Sequence, residues 1–365
     1  MRNETWAAVL ISRAGLRLIE RLRAHKVFDL WIPDRLRNAV LPSMGSTHIY
    51  NRPLKDLVRD KFHAYDHWIF VMSVGAVVRL IAPVLRNKYS DPSVTVLDDA
   101  GHYAICLLSC HGRGGNQATY DVAKILQAIP VITTGSESLG VPALDMIGKE
   151  WEWSLDPSTT IPVMSRMMLD NEPIGVIQES GPLHWNYRDY FASRVYDSWT
   201  SVPKPVMDEM KGWIWITHRH VPPPDTTGNK PILIYHPKVL SVGIGFSRNT
   251  PPEDFEQLLV QTFTEHHLAV DSVAQLATID IKQGDLALRT FATSHGWPVV
   301  YFSAKELNTV VLHQATHNPH VFHVTGAMAV AEPAAILAAQ GGDLIVRKVK
   351  SERVTMAVGL LNALD

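Results

Sequence analysis

Cysteine is almost missing from this chain: Cys106 and Cys110 are the only two in 365 residues. A disulfide framework is therefore excluded. An i,i+4 spacing along an apolar, strand-like stretch does not suit a bridge between the two, so free thiols in a reducing compartment are expected. Charge of one sign is lacking as well. Lysine and arginine number 34 against 36 aspartates and glutamates, a formal net charge of -2. No overall field attracts nucleic acid or an anionic membrane, and an anionic ligand must be held by particular side chains. Long uninterrupted hydrophobic runs are absent too: the stretches 68–85 and 324–340 are broken by Arg79 and Glu332 and contain glycine and proline, which argues against a membrane span. The apolar part of MRNETWAAVLISRAG is too short for a signal peptide. Neither GxxxxGK[ST] nor GxGxxG occurs, nor any short repeat or low-complexity tract, so the common nucleotide loops are excluded. The expectation is a soluble, cytoplasmic protein with no nucleic-acid or membrane partner.

At 46% hydrophobic and 19% charged residues, the chain can bury large cores and is long enough for two or three domains. WAAVLI followed by GLRLIERLRA reads as strand then helix. The pattern returns with HWIFVM and GAVVRLIAPVL, with SVTVLDD and HYAICLLS, and with VAKILQA before PVITT. Such alternation implies a mostly parallel, covered sheet over residues 1–150. Residues 151–237 are richer in tryptophan, proline and polar turns, with VPPPDTTGNKP as a connection, and read as a smaller, less regular middle segment. Alternation resumes over 238–365, where VLSVGIGFSRNT leads into a long amphipathic helix. The fold class is α/β, with two mostly parallel α/β domains joined by the middle segment.

LLSCHGRGGNQAT, residues 107–119, ends an apolar run on Ser109, Cys110 and His111 and continues into three glycines. Gly112, Gly114 and Gly115 let backbone approach a ligand, and a helix starting near Asn116 would aim free N–H groups at a carboxylate or oxyanion. His111 is the natural general base. The plainer alternative is a strand-to-helix turn in which His111 bonds internally. Cys110 is no partner for His111, since neighbours on an extended chain face opposite ways. Asp98 and Asp99 end a strand; Asp99 is the second candidate for orienting a base or activating water, although paired acids before a glycine are commonly turn formers. The histidines of HQATHNPHVFHV, His313, His317, His320 and His323, read as surface or packing residues because Asn318 and Pro319 break the helix. THRHVPPP reads as a polar turn. No metal of the protein's own is expected.

The order of FVMSVGAVVRLIAPVLRNKYSDPSVTVLDDAGHYAICLLSCHGRGGNQAT and PVITT, followed by GIGFSRNT, LATIDIK, PVVYFSAKEL, AVAEPAAILAA and RVTMAVGLL, resembles the CbiG family of cobalamin biosynthesis. The resemblance spans both ends of the chain. It implies cobalt-precorrin-5A hydrolysis: opening the ring-A δ-lactone of a cobalt tetrapyrrole and releasing acetaldehyde, with cobalt belonging to the substrate and no cofactor besides. The implied anionic macrocycle lies in a cleft between the two α/β domains and passes to or from other cobalamin-pathway enzymes. Implied contacts in the first domain are Gly75, Arg79, Lys88, Ser109, Gly114, Gly115 and Asn116, with Arg79 and Lys88 suited to carboxylates. In the last domain they are Gly245, Arg248, Thr278, Lys282 and Glu332. The chain departs from the family pattern at Cys110, Phe246, Ser247 and Ala331. Those departures keep open a reading from another class, a non-catalytic subunit that carries tetrapyrrole between enzymes.

Overall fold

Five-residue apolar runs bounded by polar turns make strands that are buried on both faces once helices cover them. In a computed structural model of the protein, which describes residues 4–39, 46–87, 90–110, 114–159, 161–311 and 319–362, such runs build three sheets of seven, five and five strands. The chain divides into two compact units after Met146.

In the first unit the elements follow as β1 (Trp6–Leu10), α1 (Arg13–Arg23), β2 (Asp29–Pro33), β3 (Thr47–Tyr50), α2 (Leu54–Lys61), β4 (His67–Val71), α3 (Val74–Ile81), β5 (Ser93–Leu97), β6 (Tyr103–Leu108), α4 (Gly115–Leu126), β7 (Ile129–Val131) and α5 (Gly135–Leu139). Their spatial order is β3-β2-β1-β4-β5-β6-β7. Alternate residues of β1 serve opposite cores. Ala8 and Leu10 pack with Leu16, Ile19 and Leu22 of α1 and Val122 of α4, whereas Ala7 and Val9 join Leu57 of α2 and Val77 of α3. That is the period-two rule of a strand, applied between two helical layers.

The strands β1 to β5 are parallel, but β6 runs antiparallel to β5 and β7 parallel to β6. Residues 98–102 alone join β5 to β6, with Gly101 at φ 75°. So short a link makes a hairpin, because a parallel crossover needs a dozen residues or more. The carboxyl end of β6 therefore lies beside the amino end of β5, where Leu108 pairs with Val94.

The second unit carries two sheets. The middle segment supplies β8 (Ser154–Leu155), α6 (Ile161–Leu169), β9 (Ile174–Gln178), β10 (Val195–Tyr196), α7 (Lys204–Glu209), β11 (Gly212–Ile216) and β12 (Ile232–His236). They are arranged β10-β9-β11-β12-β8, with only β8 antiparallel. Trp213 and Trp215 of β11 pack with Ile177, Met207 and Met210.

The third sheet follows with β13 (Leu240–Phe246), α8 (Pro252–Glu265), β14 (Val273–Ile279), α9 (Leu286–His295), β15 (Val299–Phe302), α10 (Ala304–Leu307), α11 (Pro319–Thr325), α12 (Ala331–Ala338), β16 (Leu344–Lys350) and β17 (Val354–Leu360). Its order is β15-β14-β13-β17-β16, with β17 antiparallel to both neighbours. One face takes Phe255, Leu258 and Leu259 of α8 with Leu288 and Phe291 of α9. The other takes the alanine-rich α12, which approaches so closely that a Cβ on Gly243 would lie 1.9 Å from the Ala331 carbonyl oxygen. Among the described residues, no helix is long and apolar enough to cross a membrane.

Candidate functional site

The turn after β6 reverses sharply because Ser109 adopts a left-handed φ of 54°, uncommon for a residue with a side chain. The strand ends at Leu108, so Cys110 folds back over Cys106 and their sulfurs lie 2.9 Å apart. Extended geometry alone would separate the two, and the serine turn brings them together without a bridge, as the spacing led one to expect. Both are free thiols. The Cys106 S–H donates to the Cys110 sulfur, which, against the opposing effect of burial and with help from Thr134, brings the Cys110 pKa down to about 7. Cys106, as the donor, is pushed up. Thiolate is the nucleophile, so alkylation of Cys110 by iodoacetamide is expected to accelerate as pH rises through about 7. Cys106→Ala removes the donor and should move that midpoint to higher pH; an unmoved midpoint in rate-against-pH measurements would mean that Cys106 does not tune Cys110.

His111 and Gly112 lie outside the described residues. Beyond them Gly114, at φ 70°, precedes α4. Gly115 is enclosed: an added Cβ would sit 2.8 Å from the Ser109 carbonyl oxygen and 3.1 Å from the Leu108 carbonyl oxygen. The expected free N–H groups are partly committed. Gly115 donates to the Ser109 carbonyl at 3.3 Å and Asn116 to the Cys110 carbonyl at 2.8 Å, so the loop itself satisfies them. Ser109 spends its hydroxyl proton on the Asp91 carbonyl, 3.0 Å away. A different donor replaces them. The Asn116 side chain is buried, its Oδ1 accepts from Thr134, and its Nδ2 has no partner among the described residues. A buried unpaired donor costs about 1–3 kcal/mol, a cost removed when a ligand oxygen accepts from it, as an oxyanion would.

Asp99, Gly75 and Arg79 stand elsewhere. Asp98 accepts from the Tyr103 amide at the start of β6, whereas the serine turn follows that strand's last residue. Six residues of strand span about 20 Å, so Asp99 is not brought together with the turn. It accepts instead from the hydroxyl of Ser12, the cap of α1. Gly75 and Arg79 belong to α3, which leaves the carboxyl end of β4 beside β1, where the strand order reverses; open α/β sheets commonly bind ligands at such a point. The Arg79 guanidinium is exposed, bonds the Gly75 carbonyl at 2.8 Å, and forms no ion pair among the described residues. Lys88 lies outside them.

In the third sheet, Gly245 and Arg248 come at and after the carboxyl end of β13, and Lys282 follows β14. Burial lowers the Lys282 pKa, Asp285 opposes this, and the nearby Arg248 lowers it further; its Nζ lies 4.1 Å from the centre of the Phe246 ring. Two basic side chains thus stand together at the carboxyl ends of β13 and β14, a local excess of positive charge in a chain without an overall field. Glu332 lies in the first turn of α12 and accepts from the Lys348 amide at 3.2 Å. Thr278 is turned inward: it is 1% exposed and donates to the Ile244 carbonyl at 2.7 Å. Its hydroxyl proton joins β14 to β13 within the core.

One cluster had no counterpart in the sequence reading. Asp156, His220 and His236 each place a ligand atom within 4.8 Å of the others. His220 belongs to THRHVPPP, which reads as a polar turn, and the acid stands 80 residues from His236, so no local spacing marks the group. Nearby His218 is lowered to a pKa of about 4 by burial, Arg219 and His236. Of the histidines in HQATHNPHVFHV, His313 and His317 lie outside the described residues, and His323 is exposed on α11.

Three family models match in succession: Cobalamin synthesis G N-terminal over residues 56–137, Cobalamin biosynthesis central region over 142–237, and Cobalamin synthesis G C-terminus over 240–359. The chain is 31% identical to the cobalt-precorrin-5A hydrolase of Priestia megaterium over 357 residues, 98% of this chain and 95% of that one. It is 25% identical to the enzyme of the same name from Salmonella typhimurium over 365 residues, 99% of both. Protein CobE of a Sinorhizobium species is 28% identical over 120 residues, 33% of this chain and 78% of that protein. With such likeness maintained from end to end, the chain belongs to the CbiG family of cobalamin biosynthesis proteins.

Proposed function

We propose that this chain is a cobalt-precorrin-5A hydrolase that opens the ring-A δ-lactone and then cleaves a carbon–carbon bond to release acetaldehyde. The observation that carries the reading is the full-length similarity to relatives of that name. The glycine turn supports it chemically. Water adds to the lactone carbonyl, with His111 accepting its proton, and the Asn116 amide stabilises the oxyanion. Collapse expels the ring oxygen as an alcohol and leaves a carboxylate. Deprotonation of that alcohol drives carbon–carbon cleavage: the carbinol carbon leaves as the aldehyde, and the bonding pair stays on the macrocycle carbon, which takes up a proton.

The substrate brings its own cobalt, and no resident cofactor is assigned to these steps. Arg248 and Lys282 are assigned to substrate carboxylates, Gly245 and Glu332 to the same edge. Two free thiols accord with a cytoplasmic setting. The direct test incubates purified protein with cobalt-precorrin-5A and traps acetaldehyde with a hydrazine reagent. Stoichiometric aldehyde is expected; tight binding with none released would instead identify a carrier.

Arg79 provides a second test, of which sheet end meets substrate. Because its guanidinium bonds only its own helix among the described residues, Arg79→Ala is expected to leave the melting temperature unchanged and to weaken substrate binding by about tenfold, the scale of one lost charged hydrogen bond. Unchanged affinity in a binding titration would remove the carboxyl end of the first sheet from the site.

A further inference from the structure

The cluster of Asp156, His220 and His236 sits where the middle sheet ends. His236 is the last residue of β12, Thr217 to His220 continue from β11, and Asp156 follows β8 with its amide on the Ile234 carbonyl. The His236 Nδ1 lies 2.9 Å from the Thr217 carbonyl oxygen. A carbonyl only accepts, so Nδ1 carries the hydrogen, and Nε2 of the neutral ring presents a lone pair. That lone pair faces Asp156 Oδ2 at 3.2 Å. The other carboxylate oxygen is already engaged by the Ser158 amide at 2.8 Å and the Ser158 hydroxyl at 2.5 Å.

Two acceptors thus confront one another in a site where the His236 side chain is 3% exposed and that of Asp156 12%. Either a proton or a cation must lie between them. A proton would make a buried imidazolium–carboxylate pair and leave the third member unexplained. His220 brings another imidazole nitrogen within 4.8 Å of both. Its backbone is fixed by donation to the His267 carbonyl at 2.8 Å, so the middle segment meets the last domain at this point.

Two imidazoles and one carboxylate form a donor set suited to zinc, with a fourth position left open. Tetrahedral ligands at about 2.0–2.1 Å from the ion lie about 3.3 Å apart, close to the Asp156–His236 separation. The outer contacts are those of metal ligands as well: a carbonyl fixes the His236 tautomer and a serine orients the carboxylate. We propose that Asp156, His220 and His236 bind one divalent cation of the zinc class at the end of the middle sheet. This site is separate from the residues assigned to lactone hydrolysis, and its test does not depend on that activity.

The full-length protein, dialysed against chelator, is titrated with zinc chloride by calorimetry and by thermal melting. One equivalent is expected to bind and to raise the melting temperature. His220→Ala, a change at an exposed side chain, should weaken zinc binding at least tenfold and abolish the thermal shift, and Asp156→Asn should do the same while the metal-free melt confirms folding. Cobalt(II) in place of zinc should give visible absorption bands in the unaltered protein that are lost in both variants. A Cys106→Ser, Cys110→Ser double variant should bind zinc as the unaltered protein does. The proposal fails if no saturable binding occurs, if His220→Ala binds zinc undiminished, or if binding disappears with the cysteines.

Discussion

His111→Ala is expected to lower kcat on cobalt-precorrin-5A by about a hundredfold or more, the usual contribution of a positioned general base, while leaving substrate affinity nearly unchanged. A protonated imidazole cannot accept a proton. The rate of the unaltered enzyme should therefore fall in acid, and this acid limb should vanish in His111→Ala. Gly115→Val should also abolish turnover, but for a steric reason, because its Cβ would meet the Ser109 carbonyl oxygen at 2.8 Å and distort the turn. The variants must differ in kind: the first binds tetrapyrrole and the second does not. Full turnover by His111→Ala would place the base elsewhere. Asp99, held by Ser12 and distant from the turn, would then be a poor substitute.

A larger loss of stability is expected from Gly243→Ala. The new Cβ would lie 1.9 Å from the Ala331 carbonyl oxygen and 2.6 Å from the Ala335 nitrogen, both backbone atoms of α12. No rotamer relieves such a contact; the helix must leave the sheet. Overpacking of this kind costs about 3 kcal/mol or more, so the last domain should melt early or fail to fold, as read by calorimetry. An unchanged melting temperature would show that α12 can slide.

Strands such as HWIFV and SVTVL were legible because short runs rich in apolar and β-branched residues are set off by Asp66, Pro92 and Asp98. The middle sheet was harder to read. Its runs IGVIQ, GWIWI and ILIYH are visible individually, but the two-residue strands that complete it carry no pattern. The direction of β6 was available from the five-residue link before it, yet the alternation of strands and helices suggested parallel repetition. That difference placed Asp99 and the glycine turn at opposite ends of one sheet. Nothing in the sequence marks Ser109 as left-handed, so the thiol pair was invisible. The imidazole–carboxylate cluster escaped for another reason: its members come from separate strands, and only the sheet brings them together.

The placement of β17 between β13 and β16 also bears on how the protein is made. Leu240 pairs with Leu360 and Phe246 with Val354, so a strand formed early in synthesis of the last domain waits for one formed much later. The first unit, whose strands lie within 6–131, can complete its sheet while the rest is still being translated. Until 354–360 emerge, β13 presents an open backbone edge and the apolar face that α12 will cover, the condition in which strands pair with the wrong partner. Slowing elongation after residue 240 should therefore favour aggregation of nascent chains, whereas slowing it before residue 131 should not.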